Sequence, residues 1–385
     1  MFTILTIFAD LKKTVYITLL TLLIFISSCN TTEKILKSND SNLKYTKAME
    51  WYNKGQYFKA IPVFEELMGL FKGEKSTEEI YYYYCMAQFK QKSYLIAAFH
   101  FKNYTQKHPF SKYTEEALYM HAESYYKQTL DYSLDQTETV NSIDAYQTFI
   151  NTYPSSSRIA DANTKIDLLR GKLEKKAFKA AELYYKTKNY RAAAVSFKNL
   201  LIDYPDIDDV EDIQLKIVKS YYQYAEQSIS RKQAERYNES IKAANNFLNR
   251  YPNNEFVTQV NTLKEKSHLE IIKSSLESAL VSGYTKRIKS LEEMQDVYNA
   301  NFSKLSIEKN KEIANKILEK SYFQQIKTEY LMAQESKIDK KAKHYKAAVA
   351  AFNVFSSKYN SSKFQNEAKR ILSASEKNFK KYSNG

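Results

Sequence analysis

Residues 48–67 read AMEWYNKGQYFKAIPVFEEL, with small and aromatic residues at helical spacing on both sides of one glycine. Spacings of three and four residues place these side chains on one face of each of two helices. Gly55 suits a left-handed turn between them, and a small residue such as Ala48 lets two helices approach closely. The stretch therefore predicts an antiparallel helical hairpin.

The hairpin pattern recurs along the chain. At an offset of 133 residues it returns as Ala181, Tyr185, Tyr190, Ala193, Phe197 and Leu200, and at an offset of 37 residues as Phe89, Tyr94, Ala97 and Phe101. The counterparts of Gly55 are Lys92 and Lys188, which depart from the pattern at the turn. The unit resembles the tetratricopeptide repeat over nearly its full pattern.

A second signal is a triplet of residues spaced three and four apart, which usually ends in an aromatic residue. It occurs as Phe64-Leu67-Phe71, Phe101-Tyr104-His108, Tyr146-Phe149-Tyr153, Phe197-Leu200-Tyr204, Ala244-Phe247-Tyr251 and Phe352-Phe355-Tyr359, and Pro follows directly at 109, 154, 205 and 252. A proline there ends the helix. A repeat period near the offset of 37 residues given above is typical of helical solenoids. We therefore predict an all-α fold, a tetratricopeptide-like helical-hairpin solenoid or α-α superhelix.

Composition agrees with a helical chain. Only six Gly and five Pro occur in 385 residues, whereas Tyr (33) and Phe (21) supply ample apolar mass for a core. A β-sandwich or barrel would need frequent turn residues. The net charge of +14 comes from lysines interspersed with acidic residues, which indicates solvated helix faces, and no nucleic-acid motif is present. We predict no nucleic-acid partner.

The amino terminus has the pattern of an export signal. Lys12 and Lys13 precede an apolar run at 15–26, which is followed by Ser27-Ser28-Cys29. The run is short for a transmembrane helix. Residues 26–29 resemble the bacterial lipobox, which implies cleavage before Cys29 and lipidation of this residue. The alternative is that Cys29 is only a small residue near an ordinary cleavage site. Once Cys29 is lipidated, Cys85 would have no disulfide partner, and it fits a small buried residue.

We predict four segments from these patterns: a signal peptide at 1–28, a lipidated polar tether at 29–43, five repeats at 44–256 and a helical extension at 257–385. The extension is expected to hold at least one further repeat. Residues 225–256 and 333–364 share ten identities over 32 positions at an offset of 108, and Leu291-Met294-Tyr298 repeats the triplet spacing weakly. Both observations favour continuation of the solenoid.

Three features of residues 44–256 narrow the resemblance. Five repeats follow a lipobox and a short tether, the third repeat is stretched by residues 130–137, and residues 168–176 run into Ala181-Glu182-Leu183-Tyr184-Tyr185. In the order and spacing of its repeats and in its lipid anchor, the chain resembles the BamD family of outer-membrane β-barrel assembly lipoproteins. The resemblance implies a non-catalytic protein without cofactor or metal, held on the outer membrane by its lipid and facing the periplasm.

The resemblance also implies partners and sites. The partners would be a central β-barrel assembly subunit, unfolded outer-membrane proteins and other assembly lipoproteins. A groove on the first two repeats would receive the carboxy-terminal segment of an unfolded barrel protein, lined by Tyr45, Met49, Tyr52, Tyr82, Met86 and Phe89. Some of these residues could instead be buried between helices. Arg170 and Lys176 would contact the barrel subunit, although an exposed helical face explains them equally well.

The sequence offers little for an enzyme. The five histidines form no ligand pair at helical spacing, and no phosphate-binding glycine loop or nucleophile elbow is present. Glu123-Ser124 and Glu335-Ser336 match the Glu-Ser pair of superhelical lytic transglycosylases, but both pairs lie within repeat helices. The alternative function is therefore another scaffold, a periplasmic repeat lipoprotein that organises peptidoglycan or polysaccharide machinery.

Overall fold

The structure is a computed structural model that describes residues 31–383. The predicted signal peptide and Cys29 lie outside these residues. Over the described range the chain contains no strand and is almost entirely helical, which confirms the predicted all-α class. Residues 31–36 are helical. Fifteen helices follow in 31–383: α1 Ser41–Asn53, α2 Tyr57–Leu70, α3 Ser76–Lys90, α4 Tyr94–Lys107, α5 Thr114–Tyr126, α6 Thr137–Thr152, α7 Ile159–Lys186, α8 Tyr190–Asp203, α9 Val210–Glu226, α10 Ser230–Arg250, α11 Val257–Leu280, α12 Tyr284–Phe302, α13 Glu308–Glu335, α14 Ile338–Lys358 and α15 Gln365–Ser383.

The chain divides into two compact units, and the boundary between Lys176 and Ala177 lies within α7. In the first unit, each of the helices α1 to α5 packs against the helix that follows it. In the second unit, successive helices from α8 to α15 do the same, and α9, α11, α13 and α15 also contact one another in order. Contacts between neighbouring helices and between alternate helices are typical of stacked hairpins. The unit boundary falls inside the predicted five-repeat segment 44–256.

The triplets form the core of the hairpins, as their spacing predicts. Their first two residues are buried in all six cases. The third residue is the C-cap of its helix: Phe71, His108, Tyr153, Tyr204, Tyr251 and Tyr359 end α2, α4, α6, α8, α10 and α14. Each cap amide donates to the carbonyl of the middle triplet residue four positions earlier. The proline that often follows cannot continue the helix.

The left-handed turn at Gly55 recurs at the equivalent positions of hairpins that carry lysine in place of glycine. Gly55 has a φ of 73°, and its counterparts Lys92 and Lys188 have φ values of 67° and 61°. The left-handed conformation costs a non-glycine residue about 1–2 kcal/mol. Packing of the two helices in each hairpin therefore holds these lysines in a conformation that their own backbone disfavours.

The predicted tether differs from the structure. Residues 31–36 are helical, and Ile35 and Leu36 pack against the core of the first unit. Asp40 then caps α1 by accepting a hydrogen bond from the Leu43 amide at 3.0 Å. Two apolar side chains in an otherwise polar stretch are enough to dock the segment, because each removes apolar surface from water.

Within the extension, a side chain of α11 caps the start of α13. The buried Glu265 carboxylate of α11 accepts hydrogen bonds from Ser306 Oγ at 2.5 Å, the Ile307 amide at 2.8 Å and Asn310 Nδ2 at 2.9 Å. These donors surround the start of α13, where an anion is favoured by the helix dipole. Burial raises the pKa of Glu265, but the hydrogen bonds outweigh it and lower the pKa. The carboxylate thus stays charged and fixes the start of α13.

Helix α14 spans 338–358 and α10 spans 230–250, so both ends of the two helices are related by the offset of 108 residues. Leu291, Met294 and Tyr298 of the weak triplet are all buried. Helix α12 nevertheless continues past Tyr298 to Phe302. None of the helices within residues 31–383 is long and apolar enough to cross a membrane.

Candidate functional site

The six predicted groove residues occupy equivalent positions on the first helices of two hairpins. Tyr45, Met49 and Tyr52 lie on α1, and Tyr82, Met86 and Phe89 lie 37 residues later on α3. Five of them are half-buried, and all five pack against the core of the first unit. Tyr82 differs, because it is only 6% exposed. The structure therefore leaves five side chains with surface that a ligand could contact.

Tyr82 is buried by residues that the sequence analysis did not name. Its ring stacks on Tyr113 at a centroid distance of 4.3 Å. Burial and the nearby Glu116 carboxylate raise the pKa of Tyr82. Tyr113 immediately precedes α5, so the contact depends on how the second and third hairpins stack. No local pattern around Tyr82 predicts it.

Tyr83 is a second residue that the sequence analysis missed. Its ring lies 5.2 Å from Tyr52 and 5.6 Å from Tyr82. It therefore bridges α1 and α3 and links the two rows of predicted groove residues. Burial raises the pKa of Tyr52 to about 12, so its hydroxyl remains a hydrogen-bond donor at neutral pH. The run of four tyrosines at 81–84 was the available signal for this cluster.

Some of the aromatic residues have an architectural role. Tyr52 packs edge-to-face on Tyr57 at 5.5 Å, and Phe89 packs on Tyr94 at 5.3 Å. The same edge-to-face pair recurs in the fourth hairpin between Tyr185 and Tyr190 at 5.3 Å. A contact that recurs in several hairpins stabilises the repeat itself, so Tyr52 and Phe89 do not distinguish the first two hairpins.

The methionines do distinguish them. At the position of Met49 and Met86, the third and fourth hairpins carry Glu123 and Glu182. The flexible, polarisable methionine side chain adapts to varied apolar partners. The first two hairpins therefore carry two half-buried methionines where the third and fourth hairpins carry glutamates, and the half-buried Tyr45, Tyr83 and Tyr113 pack on the same core cluster as the methionines. We call this set of five residues the methionine-tyrosine face.

Arg170 and Lys176 lie on α7, where Arg170 is exposed. Lys176 Nζ donates to the carbonyls of Leu134 at 2.7 Å and Tyr132 at 3.3 Å. Lys172 Nζ holds the same loop through Thr129 Oγ1 at 2.8 Å. The segment that lengthens the third repeat is thus an ordered loop held by lysines of α7. Lys176 therefore has an internal role that the sequence did not predict.

Two further residues that the sequence singled out, Cys85 and Glu123, are buried. Cys85 is fully buried, and burial raises the pKa of its thiol well above the usual range, which disfavours the reactive thiolate. Glu123 of the Glu123-Ser124 pair is 8% exposed. Its carboxylate is bound by Lys165 Nζ and the Tyr146 hydroxyl, both at 2.6 Å, so an internal cation neutralises it.

Comparison with known proteins places these features in a family. The chain is 25% identical to the outer membrane protein assembly factor BamD of Rickettsia prowazekii (strain Madrid E) over 177 residues, which cover 46% of this chain and 70% of that protein. It is 23% identical over 222 residues to a protein of Aquifex aeolicus (strain VF5) to which the same name is given provisionally, with 57% and 71% of the two chains covered.

Solved structures of helical-repeat proteins also match. One is the TPR2AB domain of yeast Sti1 in its complex with pHSP90, at 10% identity and a TM-score of 0.29, with 73% of this chain and 98% of that chain covered. The family model described as YfiO, outer membrane lipoprotein, matches residues 37–236, which is more than half of the chain. The protein therefore belongs to the YfiO family of outer membrane lipoproteins.

Proposed function

We propose that this protein is a non-catalytic subunit of the machinery that assembles β-barrel proteins in the outer membrane. The observation that carries the proposal is the family match over 37–236, together with relatives named as assembly factors. In this proposal Cys29 is lipidated, the repeats face the periplasm, and the chain binds a central barrel subunit and unfolded barrel proteins. Other assembly lipoproteins complete the complex.

The docked amino-terminal segment supports an anchor that keeps the body close to the membrane. Ile35, which packs on the first core, follows Cys29 by six positions, with five residues between them. At no more than about 3.6 Å per residue, six positions span at most about 22 Å. The first two hairpins would therefore work near the bilayer into which clients insert.

The methionine-tyrosine face supports client binding. Unfolded barrel segments alternate apolar and polar residues, because one face of each strand meets lipid. Methionine and tyrosine bury varied apolar side chains at low entropic cost. In this proposal Met49 and Met86 contact the client, with Tyr45 and Tyr52 beside them. The proposed contact with the barrel subunit comprises Arg170, the α7 segment around it and the loop that Lys176 holds in place.

A paired substitution tests the client site. We expect Met49→Glu/Met86→Glu to weaken binding of a labelled carboxy-terminal peptide of a barrel protein by at least about tenfold, since burying one methionine contributes about 1.5–3 kcal/mol. The variant should stay folded, because Met49 and Met86 are only half-buried and the half-buried Glu182 occupies the same position in the fourth hairpin. Fluorescence anisotropy measures the affinity.

Phe99→Glu is the matched control, because Phe99 is an apolar residue of the same unit that is 61% exposed and lies on α4. It should leave peptide affinity unchanged. Unchanged affinity in a Met49→Glu/Met86→Glu protein with native helicity would contradict the client site, and an equal loss in the control would show that the effect is not local.

The assembly role itself is tested by mild crosslinking in native membranes, followed by mass spectrometry. We expect the central barrel subunit among the crosslinked proteins. Enrichment of peptidoglycan or polysaccharide enzymes in its place would instead support the alternative scaffold function.

A further inference from the structure

Lysines are interspersed with acidic residues over most of the chain, but the carboxy-terminal part departs from this pattern and is strongly basic. Residues 337–385 contain twelve Lys and Arg residues but only three Asp and Glu residues, so most of the net charge of +14 lies in the last 49 residues. This region lies beyond the family match at 37–236. The concentration of charge is a property of the extension that neither the family nor the proposed client site accounts for.

A cavity of about 640 Å³ lies beside this region, between the first half of α13 and the turn that links α14 to α15. Four lysines line it: Lys316 and Lys320 from α13, Lys358 from the end of α14, and Lys363 from the turn. Ile313, Ile317 and Phe364 form apolar parts of its wall. The cavity thus combines four positive charges with apolar surface.

The internal partners of the cavity leave its charge available. Lys358 Nζ donates to the Tyr322 hydroxyl, not to a carboxylate, at 2.7 Å and lies 4.7 Å from the centre of that ring. Glu319, the one carboxylate in the wall, accepts a hydrogen bond from Ser362 Oγ. Lys316, Lys320 and Lys363 form no ion pair within residues 31–383. One carboxylate against four ammonium groups leaves the cavity strongly positive.

We propose that this cavity binds an acidic peptide segment of a partner protein. Carboxylates of the segment would bond to Lys316 and Lys320 on one side and to Lys358 and Lys363 on the other, as charge-assisted hydrogen bonds. An apolar side chain between the carboxylates would pack on Ile317 and Phe364. Charge complementarity selects the ligand class, and the concave shape favours a peptide over a flat bilayer surface, which cannot enter the cavity.

The proposal goes beyond the assembly role and does not depend on it. The test uses the full chain purified in detergent and a short fluorescein-labelled peptide in which glutamates alternate with leucines. We expect saturable binding that weakens as salt is raised. The same peptide with glutamine in place of glutamate should bind at least about tenfold more weakly.

Charge reversal locates the site. Lys316→Glu/Lys320→Glu alters two exposed residues of α13 and should lower affinity for the acidic peptide by at least about tenfold. Lys343→Glu/Lys346→Glu makes the same change in net charge on exposed positions of α14 outside the cavity, and it should change affinity less than about twofold. Circular dichroism verifies that both variants remain helical.

Three results would overturn the proposal. One is an equal loss of affinity in both charge-reversal variants, which would mean attraction to the whole basic surface. Another is equal binding of the glutamine peptide. The third is failure of the acidic peptide to bind while a soluble short-chain phosphatidylglycerol binds in a manner that depends on Lys316 and Lys320, which would assign the cavity to a lipid headgroup. Barrel-peptide binding to the methionine-tyrosine face should be unaffected in either variant, so the two sites can fail independently.

Discussion

Replacing Lys165 by Met is expected to destabilise the first unit by about 3–5 kcal/mol. Lys165 Nζ lies 2.6 Å from Glu123 Oε2, 2.7 Å from the Tyr119 hydroxyl and 3.0 Å from Asp161 Oδ2. The Lys165 and Glu123 side chains are only 17% and 11% exposed. Without the lysine, Glu123 would remain as a buried charge with too little compensation, which is the costly way to break such a pair.

The effect of Lys165→Met should depend on pH. Burial raises the pKa of Glu123, but Lys165 and Tyr146 outweigh it and lower the pKa. A carboxylate whose pKa is lowered by folding stabilises the fold fully at pH values above its unfolded pKa of about 4.3. This contribution is lost as pH falls from there through the lowered pKa of the folded state. In the variant the pKa of Glu123 should rise, so protonation relieves the buried charge. The difference in stability between the two proteins should therefore shrink from pH 7 towards about pH 4.

Hydrogen exchange followed by mass spectrometry measures the local stability of α5, α6 and α7. A local measurement is needed because a solenoid need not unfold in one global transition. The double variant Lys165→Met/Glu123→Gln should regain much of the protection, because no buried charge remains. Lys47→Met is the control, since Lys47 and Glu50 form a half-exposed pair that solvent screens. Equal protection in Lys165→Met and Lys47→Met at neutral pH would show that the buried pair contributes nothing.

Replacing Cys29 by Ala is expected to remove the protein from the outer membrane. The proposed lipid chains contribute about 0.8 kcal/mol for each buried methylene, and two chains are needed for stable anchoring. Without the thiol that carries them, the chain should accumulate as an uncleaved precursor or in the wrong fraction. Membrane fractionation with immunoblotting and intact-mass analysis measures both.

Cys85→Ala is the matched control, because Cys85 is the other cysteine of the chain and is buried in the second hairpin. It should leave lipidation and localisation unchanged. Normal recovery of Cys29→Ala in the outer-membrane fraction that requires detergent for extraction would refute the lipid anchor.

The sequence alone predicted the hairpins, because their signals are local. A residue such as Phe64 and its partner Leu67 lie three positions apart, so helical geometry by itself places them on one face. The cap at Tyr204 follows from the proline behind it, for the same local reason. The position of the six predicted groove residues on two equivalent helices also followed from the repeat.

Which of those residues a ligand can reach depended on contacts between hairpins. Tyr82 is covered by Tyr113, which lies 31 residues away, and Lys176 is occupied by a loop more than 40 residues earlier in the chain. Packing also decided the backbone conformation at Lys92, the counterpart of Gly55 in the next hairpin. It holds this residue in the left-handed region, although lysine departs from the glycine of the repeat pattern.

Glu123 shows the difference most directly. In the sequence it is one member of a Glu-Ser pair within a helix. In the structure it is the partner of Lys165, 42 residues away on another helix. Residues within one helix are related by a fixed period that the sequence displays, whereas residues on different helices meet only through packing of whole side-chain surfaces. The sequence therefore determined the helices and their inward faces, and the tertiary structure decided which charges are paired and which surfaces remain open.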